Sequence, residues 1–148
     1  MAVTNFDEYR DVYVVADTID DVVHPVTYEL IGQARRIAKE LGQLVQVMLL
    51  GENVQAEAEE LVAHGADIVH VFESPLLKYY TTDGYTKVLT DFFEDHKPNI
   101  LLIGATNNGR DLAPRMSGRM QNGVVADCTI LTVDTEEDLV EWTRPALG

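Results

Sequence analysis

Cysteine is nearly missing from this chain. Its one thiol, Cys128, cannot close a disulfide within the chain, so nothing ties the fold to an oxidising compartment. It lies in VVADCTILTV, an apolar setting in which a cysteine behaves as a small buried hydrophobe. Long apolar runs are missing too. None approaches the roughly 20 residues that cross a bilayer, so no membrane insertion is expected. Positive charge is scarce: 11 Lys and Arg stand against 25 Asp and Glu, a formal net charge of −14. A phosphate backbone is bound by clustered cations, so nucleic acid is excluded as the main partner. The opening MAVTNFDEYRD has no basic segment followed by an apolar stretch, so no secretory signal is expected there and a cytoplasmic setting is. There is no HExxH, CxxC or GxGxxG, and His24, His64, His70 and His96 lack metal-ligand spacing. Ser74 and Ser117 lack the context of a nucleophile elbow. No catalytic residue is expected.

What is present is ordinary globular material. The 148 residues, 46% of them apolar, suffice for one domain with a proper core, running from residue 1 to residue 148. Short apolar runs alternate with segments of helical period. VYVVA (12–16), LVQVMLL (44–50), IVHVF (68–72), NILLIG (99–104) and DCTILTV (127–133) read as strands, and LVEWT (139–143) as a sixth at an edge or exit. The first four are rich in Val, Ile and Leu with little alternation, as strands covered on both faces are.

The segments between them read as helices. Val26, Leu30, Ile31, Ala34, Ile37, Ala38 and Leu41 form one apolar stripe, with Pro25 suited to the first turn and Gly42 to the stop. Val54, Ala58, Leu61 and Val62 line a second helix, capped by Asn53 and ended by Gly65. Tyr85, Val88, Leu89, Phe92 and Phe93 line a third, capped by Thr82 or Asp83 and stopped by Pro98. A fourth follows residue 104. This alternation predicts an α/β domain: a doubly wound, mainly parallel sheet in the order 3-2-1-4-5, with helices on both faces.

In such a sheet ligands sit beyond the carboxyl ends of the strands, where the strand order reverses. The loops there are ADTIDDVVH (16–24) and GATNNGRD (104–111). The second has the G-x-x-x-x-G spacing of a phosphate loop between a strand and a helix. It lacks the Lys and Ser/Thr that would follow, so no Walker-type NTPase chemistry is expected. Its remaining physics still suits an anion. Glycines let backbone N–H groups converge, and a helix N-terminus adds about half a positive charge. Three cations, Arg110, Arg115 and Arg119, fall within ten residues against one acid, Asp111. Gly104, Thr106, Asn107, Asn108, Gly109, Arg110 and Arg115 are therefore the candidate binding residues. A second reading has Asp111 capping the helix and the arginines pairing with acids of this subunit or a neighbour. Asp17, Asp20 and Asp21 in the facing loop speak against a phosphate.

YELIGQARRIAKELG, HGADIVHVFES, KPNILLIGATNNGRDLAPRMSGRM, ADCTILTVD and TRPALG, in that order and spacing, resemble the N-terminal domain of the α subunit of electron transfer flavoproteins. The resemblance covers nearly all of residues 12–148. It implies a Rossmann-like domain packed against a β subunit. The intact complex would carry FAD in a later α-subunit domain, with AMP or a second FAD in the β subunit. Electrons would pass between an acyl-CoA dehydrogenase-type or other flavin dehydrogenase, or NADH, and an acceptor. The family pattern reads on past Gly148 into the FAD-binding domain, so residues 1–148 alone are expected to bind no FAD tightly. HPVTYELIGQARRIA is similar to the electron-bifurcating branch. There, loop 106–110 would lie near the β-subunit flavin or its NADH. The alternative is a stand-alone adenine-nucleotide-binding domain of universal-stress type.

Overall fold

The structure is a computed structural model that describes residues 10–120, 130–134 and 139–143. In chain order its elements are β1 (Val12–Val15), β2 (Thr18–Ile19), β3 (Val22–Val23), α1 (Pro25–Leu41), β4 (Val45–Gly51), α2 (Gln55–Ala63) and β5 (Ile68–Glu73), then α3 (Thr82–Asp95), β6 (Ile100–Ile103), α4 (Asn107–Met120), β7 (Ile130–Asp134) and β8 (Leu139–Thr143). Between β5 and α3, Pro75–Leu77 form one turn of 3-10 helix.

Four strands form one parallel sheet in the order β5-β4-β1-β6. The chain moves outward from β1 through β4 to β5, then returns to place β6 on the other side of β1. β1 is thus the central strand of the reversal. Its side chains alternate between two cores. Val12 and Val14 pack with Ile31, Ala34 and Ile37 of α1 and Leu61 of α2. Tyr13 and Val15 pack with Tyr85, Leu89 and Phe93 of α3 and with Leu112 and Met116 of α4. All of β1 and β4 is buried, which is why both strands are mainly apolar without alternation, Gln46 excepted. Each buried Val, Leu or Met side chain among them contributes about 1.5–3 kcal/mol relative to exposure.

Helix α1 has the expected ends. Pro25 occupies its first turn, the His24 ring nitrogen Nδ1 accepts from the Val26 N–H at 3.0 Å, and Gly42 closes it in the left-handed conformation at φ 67°. The other helix starts differ from expectation. Val54, not Asn53, precedes α2 and offers no side-chain cap. Glu73, at the end of β5, accepts from the Val54 N–H at 3.0 Å and the Gln55 side chain at 2.8 Å. These bonds hold the Glu73 carboxyl below its ordinary range. A cap from a distant strand leaves no local sequence signature. At α3 the cap is Thr81, one residue earlier than expected, accepting from the Gly84 N–H. Val62 is exposed rather than part of the buried stripe.

One further difference concerns strands. The loop after β1 contains a small antiparallel hairpin, β2–β3, whose turn residues Asp20 and Asp21 lie at φ 51° and 62°. Paired left-handed residues make the turn that matches strand twist, and Asp tolerates that conformation. Of the fifth predicted strand, residues 130–133 are described, and they lie in β7. β7 pairs antiparallel with β8, only residues 135–138 away in sequence. So short a separation closes at little entropic cost, and neighbouring segments usually pair. Cys128 lies outside the described residues.

At the amino ends of the strands, Asp11 accepts from the Leu44 N–H and, at 2.7 Å, from the Gln46 side chain. Gln46 then presents its carbonyl to His70 Nε2 at 2.6 Å. His70 is half-buried against Phe92, with His96 nearby. Burial, and secondarily the His96 charge, push its pKa below the ordinary 6.5. The unfolded chain therefore binds the extra proton first as pH falls. Folding stability should decline as the pH drops below about 6.5 and through the lowered value. Urea unfolding across pH 5–8 checks this, and His70→Gln should flatten the decline. An unchanged profile in the variant would refute the assignment.

Candidate functional site

The polypeptide leaves β6 at Gly104 and enters α4 at Asn107, beside the loop that follows β1. This is the point of strand-order reversal. Thr106 organises it. Its hydroxyl accepts from the Gly109 N–H at 3.1 Å, and its carbonyl accepts from the Arg110 N–H at 2.8 Å. A threonine two or three residues ahead of free N–H groups is a helix cap. The same hydroxyl donates to the Asp17 carboxylate across the cleft. Asp17 is itself fixed: its N–H donates to Thr27 Oγ1 at 3.0 Å and its carbonyl accepts from the His24 N–H at 2.7 Å.

Both glycines of the loop have a packing reason. A Cβ at Gly109 would lie 1.8 Å from the Gly104 carbonyl oxygen, and one at Gly104 would meet Val26 at 3.0 Å. Without side chains there, α4 seats directly against the end of β6. This is the close helix–strand approach that glycine permits.

Between the two loops is a cleft lined by Val15, Ala16, Asp17, Tyr80, Tyr85, Ile103, Gly104, Asn108, Gly109 and Leu112. Its volume, about 20 Å³, is space for about one water molecule. Tyr85 has its hydroxyl within 3.2 Å of the Leu77 carbonyl, to which it donates, and burial raises its pKa. The diphosphate of a dinucleotide does not fit this cleft. A carboxylate already stands inside it, and the room is that of a solvent molecule.

The candidate residues therefore divide. Gly104, Thr106, Asn108 and Gly109 are buried or half-buried in the junction, whereas Asn107 and Arg110 are exposed at its rim. Arg115 is farther along α4 and pairs with Asp83 of α3 at 2.5 Å, an exposed contact of small energetic weight. Asp111 does not cap its own helix. It accepts from the Tyr80 hydroxyl at 2.8 Å and from the Thr82 hydroxyl, fastening α4 to the start of α3. Burial, aided by the bond to Asp111, pushes the Tyr80 pKa up to about 12, while the Thr82 and Tyr80 bonds lower that of Asp111. Asp21, which sequence alone cast as a repulsive charge, accepts from the Glu52 N–H at 2.9 Å and the Asn53 N–H at 3.1 Å. Sequence reasoning missed Asp17, Tyr80 and Tyr85 as parts of the site. Thr106 before N-N-G carried the cap signal, but its partner Asp17 is 89 positions away. Among the described residues no group of His, Cys, Asp and Glu could hold a metal ion, and no helix is long and apolar enough to cross a membrane.

The sequence profile of the family described as Electron transfer flavoprotein domain matches residues 12–148. The chain is similar to the electron transfer flavoprotein subunit alpha of Megasphaera elsdenii, with 47% identity over 141 residues, covering 95% of this chain and 42% of that protein. It is similar to subunit LctC of the lactate dehydrogenase (NAD(+),ferredoxin) of Acetobacterium woodii, with 46% identity over 140 residues, covering 95% and 33%. It is also similar to the acryloyl-CoA reductase electron transfer subunit beta of Anaerotignum propionicum, with 43% identity over 130 residues, covering 88% and 35%. The chain thus spans less than half the length of these relatives.

The packing at Gly109 makes a paired prediction. Gly109→Ala should cost at least the roughly 1–3 kcal/mol typical of overpacking, because the obstacle is backbone. Gly118→Ala, an exposed site on the same helix with nothing within 4 Å of the new methyl, should stabilise by about 0.5–1 kcal/mol. Chemical denaturation of the two variants checks the contrast; equal effects would contradict the seating of α4.

Proposed function

The chain belongs to the electron transfer flavoprotein family, and from that premise we propose that it is the N-terminal, Rossmann-like domain of an α subunit. Its task is to scaffold an αβ heterodimer that passes electrons between flavin dehydrogenases or NADH and an acceptor. The observation that carries the reading is the match over residues 12–148 to the family, together with a relative named as subunit alpha. FAD in the intact complex supplies one- and two-electron transfer. This chain's own cleft does not fit its diphosphate, so no electron-transfer step is assigned to these residues, and the flavin is placed in the further length that the relatives possess.

In this proposal Gly104, Thr106, Asn108 and Gly109 hold the rim of the sheet in shape, and exposed Asn107 and Arg110 meet what lies across it. A flavin, NADH or AMP carried by the β subunit is the ligand assigned to that position. Arg115 stands behind them in its pair with Asp83. The name of LctC, in which NAD(+) and ferredoxin stand together, supports the bifurcating branch, and the acryloyl-CoA reductase name of a second relative supports a flavin dehydrogenase as redox partner. The universal-stress alternative is disfavoured by the carboxylate and the small volume of the cleft.

Titrating residues 1–148 with FAD and separately with AMP tests the reading. No stoichiometric FAD binding and no micromolar AMP binding are expected. Tight one-to-one FAD binding would overturn it. Micromolar AMP binding that disappears in Arg110→Ala would establish the adenine-nucleotide alternative.

A further inference from the structure

The loop between β6 and α4 has the spacing, the glycines and the helix start of a phosphate cradle, yet an acid of the chain itself stands in it. Thr106 joins the two. Its hydroxyl takes one bond from the Gly109 N–H and gives one to Asp17, so the helix start is linked through a single oxygen to a negative charge. Asp17 lines the same small cleft as Gly104, Asn108 and Gly109. Its main chain is bonded on both sides, to Thr27 and to His24, so the carboxylate is held at the cleft and not merely passing through it. A helix N-terminus favours a nearby anion, and a buried one left without such a partner is costly.

We propose that Asp17 is a specificity-determining residue: its carboxylate serves as a built-in anion where a ligand phosphate would otherwise sit, and it thereby keeps this chain from taking a nucleotide of its own. The opposing loop supplies a charge that repels a phosphate and fills the space one would need. The inference rests on the geometry of the junction and stands whether or not the chain serves electron transfer. It also gives a role to the acid whose presence in the facing loop argued against a nucleotide.

The test uses Asp17→Gly and Asp17→Asn in the full chain, titrated with inorganic phosphate against chloride of matched ionic strength. Melting temperature and the amide resonances of Asn108 and Gly109 are followed together. The native chain should show only the general salt effect and no saturable shift at those amides. Asp17→Gly should show a saturable shift, with an additional rise in melting temperature of roughly 3–8 °C at ten times the dissociation constant. Asp17→Asn keeps an acceptor for Thr106 and so preserves the test if the glycine variant fails to fold; it should show the same shift at higher phosphate. Saturable phosphate binding at those amides in the native chain, or none in either variant, would overturn the proposal.

Discussion

One threonine hydroxyl joins the two loops on which this end of the molecule is built. Thr106 closes the start of α4 and reaches Asp17 beyond β1, so the adjacent strands β1 and β6 are tied just past the point where their hydrogen-bond ladder ends. The contact is available only because Gly109 allows α4 to sit against the Gly104 carbonyl. A side chain at 109 would move the helix, and Thr106 with it. The shape of the cleft, the exposure of Asn107 and Arg110 and the latch from Asp111 to the start of α3 all follow from that seating.

The opposite end of the sheet is fastened by similar means. Asp11 receives the Leu44 N–H and the Gln46 side chain, and Gln43 receives the Asp11 N–H at 2.8 Å and the Asn99 side chain at 3.2 Å. Polar side chains thus secure both ends of strands that are mostly apolar between them. Between these clamps, alternate residues of β1 feed two separate cores. The rim at Asn107 and Arg110 therefore rests on a framework clamped at both ends, which the proposed scaffolding role would use. Such positioning matters in electron transfer, where the chemistry is the cofactor's and the protein supplies geometry.

Much of this was legible in advance, and for definite reasons. Runs rich in Val, Ile and Leu in β1, β4 and β6 announced buried parallel strands, and the stripe on α1 with Pro25 and Gly42 at its ends announced that helix. What escaped were interactions between distant positions. Glu73 caps α2 from another strand, Asp21 serves the start of the same segment from a hairpin, and Asp17 meets Thr106 across the sheet. None leaves a trace in local sequence, since each needs the fold before the partners meet. The G-x-x-x-x-G spacing was read correctly as a strand-to-helix loop, but spacing cannot distinguish glycines that face a phosphate from glycines that admit a helix.

Amide hydrogen exchange at Gly109, compared between the native chain and Thr106→Val, tests the junction most directly. Valine keeps the shape of the residue and removes only the hydroxyl. The account predicts that exchange at Gly109 quickens about tenfold, the equivalent of one ordinary hydrogen bond, while Arg110, bonded to the main-chain carbonyl of residue 106, changes much less. Equal exchange at Gly109 in the two proteins would contradict it.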